Sequence, residues 1–425
     1  MQAGRKQIGA GVVGNILQWY DFAIYGYLAP ILSLVFFDNG KNTGLLLTFS
    51  VFAIGFLARP LGALIFSHFG DRIGRRRILN ITIIAMAVPT ILIAVLPTYQ
   101  QIGLWAPLLL VVLRLAQGLA IAGEIGGSLA YLLEHSQAKR RAMAAALVAA
   151  SIAGAMLLGS LVSLILTSVI STSALYAWGW RIPFALSLPM SFIFWAMRRS
   201  MQETPEFTQI SQHHELAQYP LGTILSKHWQ QTLAAFGVYS LLSVGFYIIS
   251  VYLPTFFAHL AGLGHQGAFF ISFLGMFLLV GFILLAGGLA DIIGAHRLLI
   301  IASIALGLTA FPVFKFLFMS GVVSRIILGE MILVLAYAGV IASTFAYVGT
   351  GFPTRVRYAG ISLVDNTSNT VLGGTAPLVA AALVQVTGQS IAPSFYLVIC
   401  SIVTLLCIPL LACNSQPRVK LSFEY

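Results

Sequence analysis

Long apolar runs, broken by short polar connections, follow one another along the whole chain. An α-helix rises about 1.5 Å per residue, so about 20 apolar residues cross a hydrocarbon core about 30 Å thick. Runs of about that length lie at 11–37, 43–66, 78–98, 105–133, 142–170 and 180–197, then at 231–257, 266–289, 298–315, 319–349, 358–387 and 392–413. They lack the short alternating segments of barrel strands. The pattern predicts an all-α polytopic membrane protein with twelve transmembrane helices. The first run follows Arg5 and Lys6, as in a signal peptide, but it contains Asn15, Gln18 and Asp21 and continues to Phe37, which predicts a retained span.

Charge adds an orientation. Of 23 basic residues, 17 fall on alternate connections and the two ends: Arg5, Lys6, Arg72, Arg75, Arg76, Arg77, Lys139, Arg140, Arg141, Arg198, Arg199, Lys227, Arg297, Arg355, Arg357, Arg418 and Lys420. The positive-inside rule then predicts that both termini are cytoplasmic. The net charge of +11 is a signature of this topology, so no nucleic-acid partner is expected. With 8% charged residues against about 25% in an ordinary soluble protein, most of the surface must face the lipid bilayer. Cys400, Cys407 and Cys413 share the last run and read as small apolar fillers. The histidines, including His213 and His214, are scattered over loops and span ends. No paired catalytic constellation and no phosphate-binding glycine loop is visible, which argues against an enzyme. No metal and no cofactor is expected.

The polar stretch 198–230 divides the chain into a six-span bundle at 1–197 and another at 231–425, and part of it is expected to form a surface helix. Three short matches relate the halves. Gly70-Asp71-Arg72-Ile73-Gly74 corresponds to Ala290-Asp291-Ile292-Ile293-Gly294, Arg114-Leu115-Ala116-Gln117-Gly118 to Arg325-Ile326-Ile327-Leu328-Gly329, and Lys139-Arg140-Arg141 to Arg355 and Arg357. Their offsets of 220, 211 and about 216 residues, in one order, imply an internal repeat. A duplicated bundle suits alternating access to a site near the midplane.

These motifs, with Gly14-Asn15-Ile16-Leu17-Gln18-Trp19-Tyr20-Asp21-Phe22, Ala58-Arg59-Pro60-Leu61-Gly62, Gly123-Glu124-Ile125-Gly126-Gly127, Gly179-Trp180-Arg181-Ile182-Pro183-Phe184 and Gly373-Gly374-Thr375-Ala376-Pro377, resemble the major facilitator superfamily. Within it the chain is most similar to the metabolite:proton symporters, which include transporters of proline and betaine, 2-oxoglutarate, citrate and shikimate. The resemblance spans nearly the whole chain. It implies the major facilitator fold in a bacterial inner membrane, and symport of protons with a small polar metabolite: an organic acid, an amino acid or a betaine. A monomer is expected. A facilitator or exporter, or a membrane sensor without flux, remain the alternatives. The family commonly has Glu where this chain has Gln18, so one possible intramembrane charge is absent.

Charge within an apolar span is costly and therefore informative. Asp21 and Arg114 each lie about 15 Å into their spans and can meet if spans one and four are neighbours, as the resemblance implies. Asp21 is then a proton acceptor tuned by Arg114, or half of a fixed ion pair; the first reading is favoured. Glu124 either relays a proton or pairs with Arg59 or the loop motif. Candidate substrate contacts are Gln18, Tyr20, Tyr247, Arg325, Asp365, Asn366 and Asn369. Arg325 serves a carboxylate or an interhelical bridge, and Asn366 and Asn369 share a helix face. Asp71, Arg72, Arg75 and Arg76, with Asp291 in the second copy, are expected to form a cytoplasmic gate.

Overall fold

A computed structural model describes residues 2–37, 41–198, 203, 208, 220–259, 262–353 and 356–415. His213 and His214 lie outside the described residues. The described chain is helical. Its helices are α1 (Gln2–Tyr27), α2 (Ala29–Phe36), α3 (Lys41–Leu57), α4 (Arg59–Ile73), α5 (Arg75–Ala94), α6 (Trp105–His135), α7 (Ala138–Val169), α8 (Ser187–Arg198), α9 (Trp229–Ala258), α10 (Gly264–Ile293), α11 (Ala295–Ser320), α12 (Val323–Gly351), α13 (Arg357–Thr387) and α14 (Ala392–Ser415). A short helix, Pro220–Lys227, occupies the end of the central connection.

Among the described residues nine helices are long and apolar enough to cross a membrane, or ten if α1 and α2 count as one span bent by 68°. The bend falls at Leu28, just before Pro30, where the ring removes a backbone donor. The remaining two expected spans fall on shorter helices: an apolar segment Ser50–Phe66, and α8 preceded by Arg181–Ala185. Large apolar side chains such as Val112, Leu285, Leu308 and Leu406 are exposed on the outside of the bundle, as suits an acyl-chain solvent.

Two seams join the segments before and after the central connection. α7 packs along α10, and α4 packs against α13. Adding the repeat offset of about 220 residues carries α4 onto α10, and adding about 216 carries α7 onto α13, so each seam is the repeat counterpart of the other. The glycines ending the two loop motifs share a backbone conformation. Gly74 has φ 105° and Gly294 has φ 95°, a backbone region that other residues rarely adopt. Each stands between two helices and lets the chain reverse at the end of the bundle that bears Arg76, Arg140, Arg297 and Arg357. This is called the basic end below.

Candidate functional site

Three buried polar clusters lie along the interior. In the first, Asp21 on α1 accepts hydrogen bonds from Thr90 on α5 at 2.6 Å and from Ser187 at the start of α8. Arg114 on α6 makes no ion pair with it. Instead Arg114 donates to Gln117 at 2.9 Å, Gln117 donates to Thr90 at 2.7 Å, and Thr90 reaches Asp21. The expected Asp21–Arg114 encounter is thus a relay through an amide and a hydroxyl. The guanidinium lies over the rings of Tyr25, Phe22 and Phe52, at 3.8, 4.6 and 5.4 Å from their centroids. These faces help to offset its desolvation. The Thr90 hydroxyl is also 3.0 Å from the Met86 carbonyl. Its one proton can therefore serve Asp21 or turn to Met86, which leaves its oxygen free to accept from a protonated Asp21. A hydroxyl partner tolerates both states of the carboxyl; an arginine would hold it ionised.

The second cluster surrounds Glu124, and its cation is Arg198, the last residue of α8. Arg198 grips the carboxylate with both terminal nitrogens, and its Nη1–Oε2 contact is 3.1 Å. It also donates to the Leu79 carbonyl. Thr82 at 2.8 Å, Ser128 at 3.2 Å and Gln18 at 3.4 Å donate to the same carboxylate. Both charges are fully buried. The sequence puts Arg198 on the cytoplasmic connection and Arg59 among the partners of Glu124. The correction is physical: Arg198 turns inward because a carboxylate already held by three other donors is there to receive it. Gln18 belongs to this cluster.

The third cluster lies where α1, α4, α9 and α13 approach one another. The Arg59 guanidinium sits over Phe56, Phe22 and Trp19 at 4.1, 4.9 and 5.2 Å. Trp19 meets Phe246 edge-on at 5.3 Å, and Tyr247 meets Phe56 edge-on at 5.3 Å. A cavity of about 10 Å³ is lined by Trp19, Phe246, Phe345, Asp365 and Asn369, among others. Asn369 donates to Asp365 at 3.0 Å. Two π-helical turns, Ile248–Tyr252 and Asn369–Gly373, adjoin this cavity in α9 and α13. Such turns widen a helix and are frequent at functional sites.

Three further expected substrate contacts sit elsewhere. Tyr20 donates to the Pro183 carbonyl at 2.9 Å. Arg325 is exposed at the start of α12, away from the central cavity. Asn366 donates to the Ala122 carbonyl at 2.9 Å, a bond across the α13 seam, and so does not share the cavity with Asn369. At the basic end, α7 opens with a 3₁₀ turn, Ala138–Arg140, and Asp291 accepts from the first turn of the α-helix that follows from Arg141, Ala142 N–H at 2.9 Å and Met143 N–H at 3.2 Å. It thereby caps a helix across the α7–α10 seam. Arg76 donates its backbone N–H to Glu203 at 3.3 Å. The side chains of Asp71, Arg72 and Arg75 lie outside the described residues. Sequence reasoning missed Thr90, Ser187 and the pair Arg357–Glu134, whose atoms approach to 3.7 Å. Gln117 was visible as a residue three positions after Arg114, on the same helix face.

At the end opposite the basic one, a cavity of about 200 Å³ is lined by Tyr27, Thr167, Tyr176, Gln266 and Phe269, among others. A bundle of apolar helices, hollowed at one end and carrying buried charges in its interior, has the build of a carrier. The chain belongs to the Major Facilitator Superfamily, whose model matches residues 12–377. It is a multi-pass secondary transporter of a bacterial inner membrane and not an enzyme. Over 416 residues it is 34% identical to the glycine betaine/proline/ectoine/pipecolic acid transporter OusA of Dickeya dadantii, covering 95% of this chain and 82% of that protein. Over 415 residues it is 32% identical to the proline/betaine transporter of Escherichia coli, with the same coverage. Among solved structures it resembles the proton:xylose symporter XylE bound to 6-bromo-6-deoxy-D-glucose, with a TM-score of 0.79 and 16% identity, covering 96% of this chain and 94% of that one. That likeness concerns the fold.

Proposed function

We propose that the protein imports a small carboxylate-bearing polar metabolite, betaine or proline foremost, together with protons. The observation that carries this reading is the whole-length similarity to transporters named for those solutes. The third cluster supports it chemically. Trp19 and Phe246 offer aromatic faces to a quaternary or secondary ammonium, and Asp365 offers a countercharge. Arg59 and Asn369 supply donors for a carboxylate. Asp21 is the proton site, because its hydroxyl partners suit either protonation state, and Arg114 acts on it through Gln117 and Thr90. Glu124 keeps Gln18 and Arg198 in place beside it.

In this reading twelve spans form two six-helix bundles, 1–197 and 231–425, joined by 198–230. Both termini and the basic end are cytoplasmic. The two seams close that end, with Asp291 as one latch and the motif of Asp71, Arg72, Arg75 and Arg76 as its repeat counterpart. Rocking of the bundles then exposes the centre alternately.

The test is uptake into proteoliposomes from a panel of labelled betaines, amino acids and organic acids, with and without an imposed proton gradient. Gradient-driven accumulation of betaine or proline is expected. Net uptake that ignores the gradient, with no accompanying proton flux, would reject symport in favour of a facilitator.

A further inference from the structure

Glu330 takes no part in the three clusters. It lies on α12, seven residues in from the end opposite the basic one, and is buried. Its Oε2 has no hydrogen-bond partner, and among the described residues no cation pairs with it. Its Oε1 occupies space that exists because residue 275 on α10 is glycine: a Cβ there would stand 2.5 Å away. The titratable group facing it from α1 is Tyr27, which lies within electrostatic reach. Other helices packed on α12 carry charge mainly at their ends: Lys139, Arg140 and Arg141 on α7, Asp291 on α10, and His296, Arg297 and the exposed Lys315 on α11. α6 brings Arg114, Glu124, Glu134 and His135, and α13 brings Arg357 and Asp365, each with a partner of its own. α9 carries no charged residue, only Tyr239, Tyr247 and Tyr252 as titratable groups, and α14 only Tyr396 and its cysteines. Arg325, on Glu330's own helix, is exposed.

An ionised carboxylate with neither cation nor donor is strongly disfavoured in such surroundings. A route to water lies close by. Tyr27 meets Phe269 of α10 edge-on at 6.1 Å, and both rings line the 200 Å³ cavity. We propose that Glu330 is a second proton-binding site, distinct from Asp21, loaded from this cavity when the Tyr27–Phe269 contact parts. With the contact open, water reaches the carboxylate and exchanges a proton with it. With the contact closed, the O–H bond is kept and water is excluded. The proposal extends the transport reading, but protonation can be read without any flux.

Infrared difference spectra of the full chain in lipid, recorded between neutral and alkaline pH, provide the test. The expected result is a protonated carboxylic C=O band at neutral pH that shifts in heavy water, persists in Asp21→Asn and disappears in Glu330→Gln. Proton uptake over the same interval should fall by one per molecule in Glu330→Gln, whose amide matches the neutral acid in shape. Gly275→Ala, which crowds the site from a different helix, should weaken or shift the same band. Identical carboxylic bands and equal proton uptake in wild type and Glu330→Gln would overturn the proposal. If no solute of the panel is transported, these measurements still decide the matter, because they require none.

Discussion

Asp21 is held by hydroxyls and reaches its arginine only through two intermediaries, which makes it a carboxyl able to change state. If Asp21 is the proposed proton acceptor, Asp21→Asn removes it while keeping its shape. Gradient-driven accumulation should be lost, while exchange of labelled for unlabelled substrate across the membrane continues; accumulation at the wild-type level would remove Asp21 from the proton path. Glu124 and Arg198 behave oppositely. Their bidentate, fully buried contact forms a fixed pair, and removing one partner strands the other. Arg198→Met should destabilise the protein by about 3–5 kcal/mol, read as an earlier thermal transition in detergent, and adding Glu124→Gln should recover much of it. Equal stability of Arg198→Met and wild type would show that the pair is dispensable. Asp21, Arg114 and Glu124 were visible as charges out of place in apolar runs. The hydroxyl partners of Asp21 were not: Thr90 and Ser187 are ordinary residues in such runs until the fold brings them together.

At the scale of the helix, the ends and interruptions carry the mechanics. Asp291 accepts from two of the amides that any helix leaves unpaired at its start, and its charge opposes the positive end of the α7 dipole. Asp291→Ala should cost the closed seam about 1 kcal/mol, or about a fivefold rise in the open population. Labelling of a Met143→Cys reporter by a membrane-impermeant thiol reagent should quicken by about that factor; an unchanged rate would mean that the cap does not hold the seam. Apolar length located most spans to within a few residues, but helix interruptions escaped it. The 68° bend at Leu28, the π turns of α9 and α13, and the extension of α11 through Val313–Leu317 to Ser320 arise from packing and from proline. None changes the hydropathy of the run that contains it.

For the molecule as a whole, the proposed gate rests on the two seams. Gly287 on α10 lies so close to α7 that an added Cβ would overlap the Ala146 Cβ. Gly287→Trp should therefore wedge the seam open and stop net transport, lowering uptake at least tenfold. Substrate binding by the purified protein should survive. Normal uptake would show that the seam need not close during the cycle. The same seam is where the repeat becomes mechanical, since α4 with α13 and α7 with α10 exchange roles when the halves are superposed in sequence.

The sequence by itself determined that this is a many-spanning helical membrane protein with a duplicated motif, a basic end and a few charges buried at cost. These follow from run length, spacing and the expense of charge in lipid, all of which are local or additive along the chain. Only the tertiary structure decided who partners whom: Arg198 with Glu124 instead of a place on the loop, Gln18 beside that pair, Asp21 with hydroxyls instead of Arg114, and Arg325 left on the outside. Hydrogen-bond and ion-pair partners come from helices far apart in sequence, and their meeting depends on helix rotation and crossing, which no periodicity along a single span encodes.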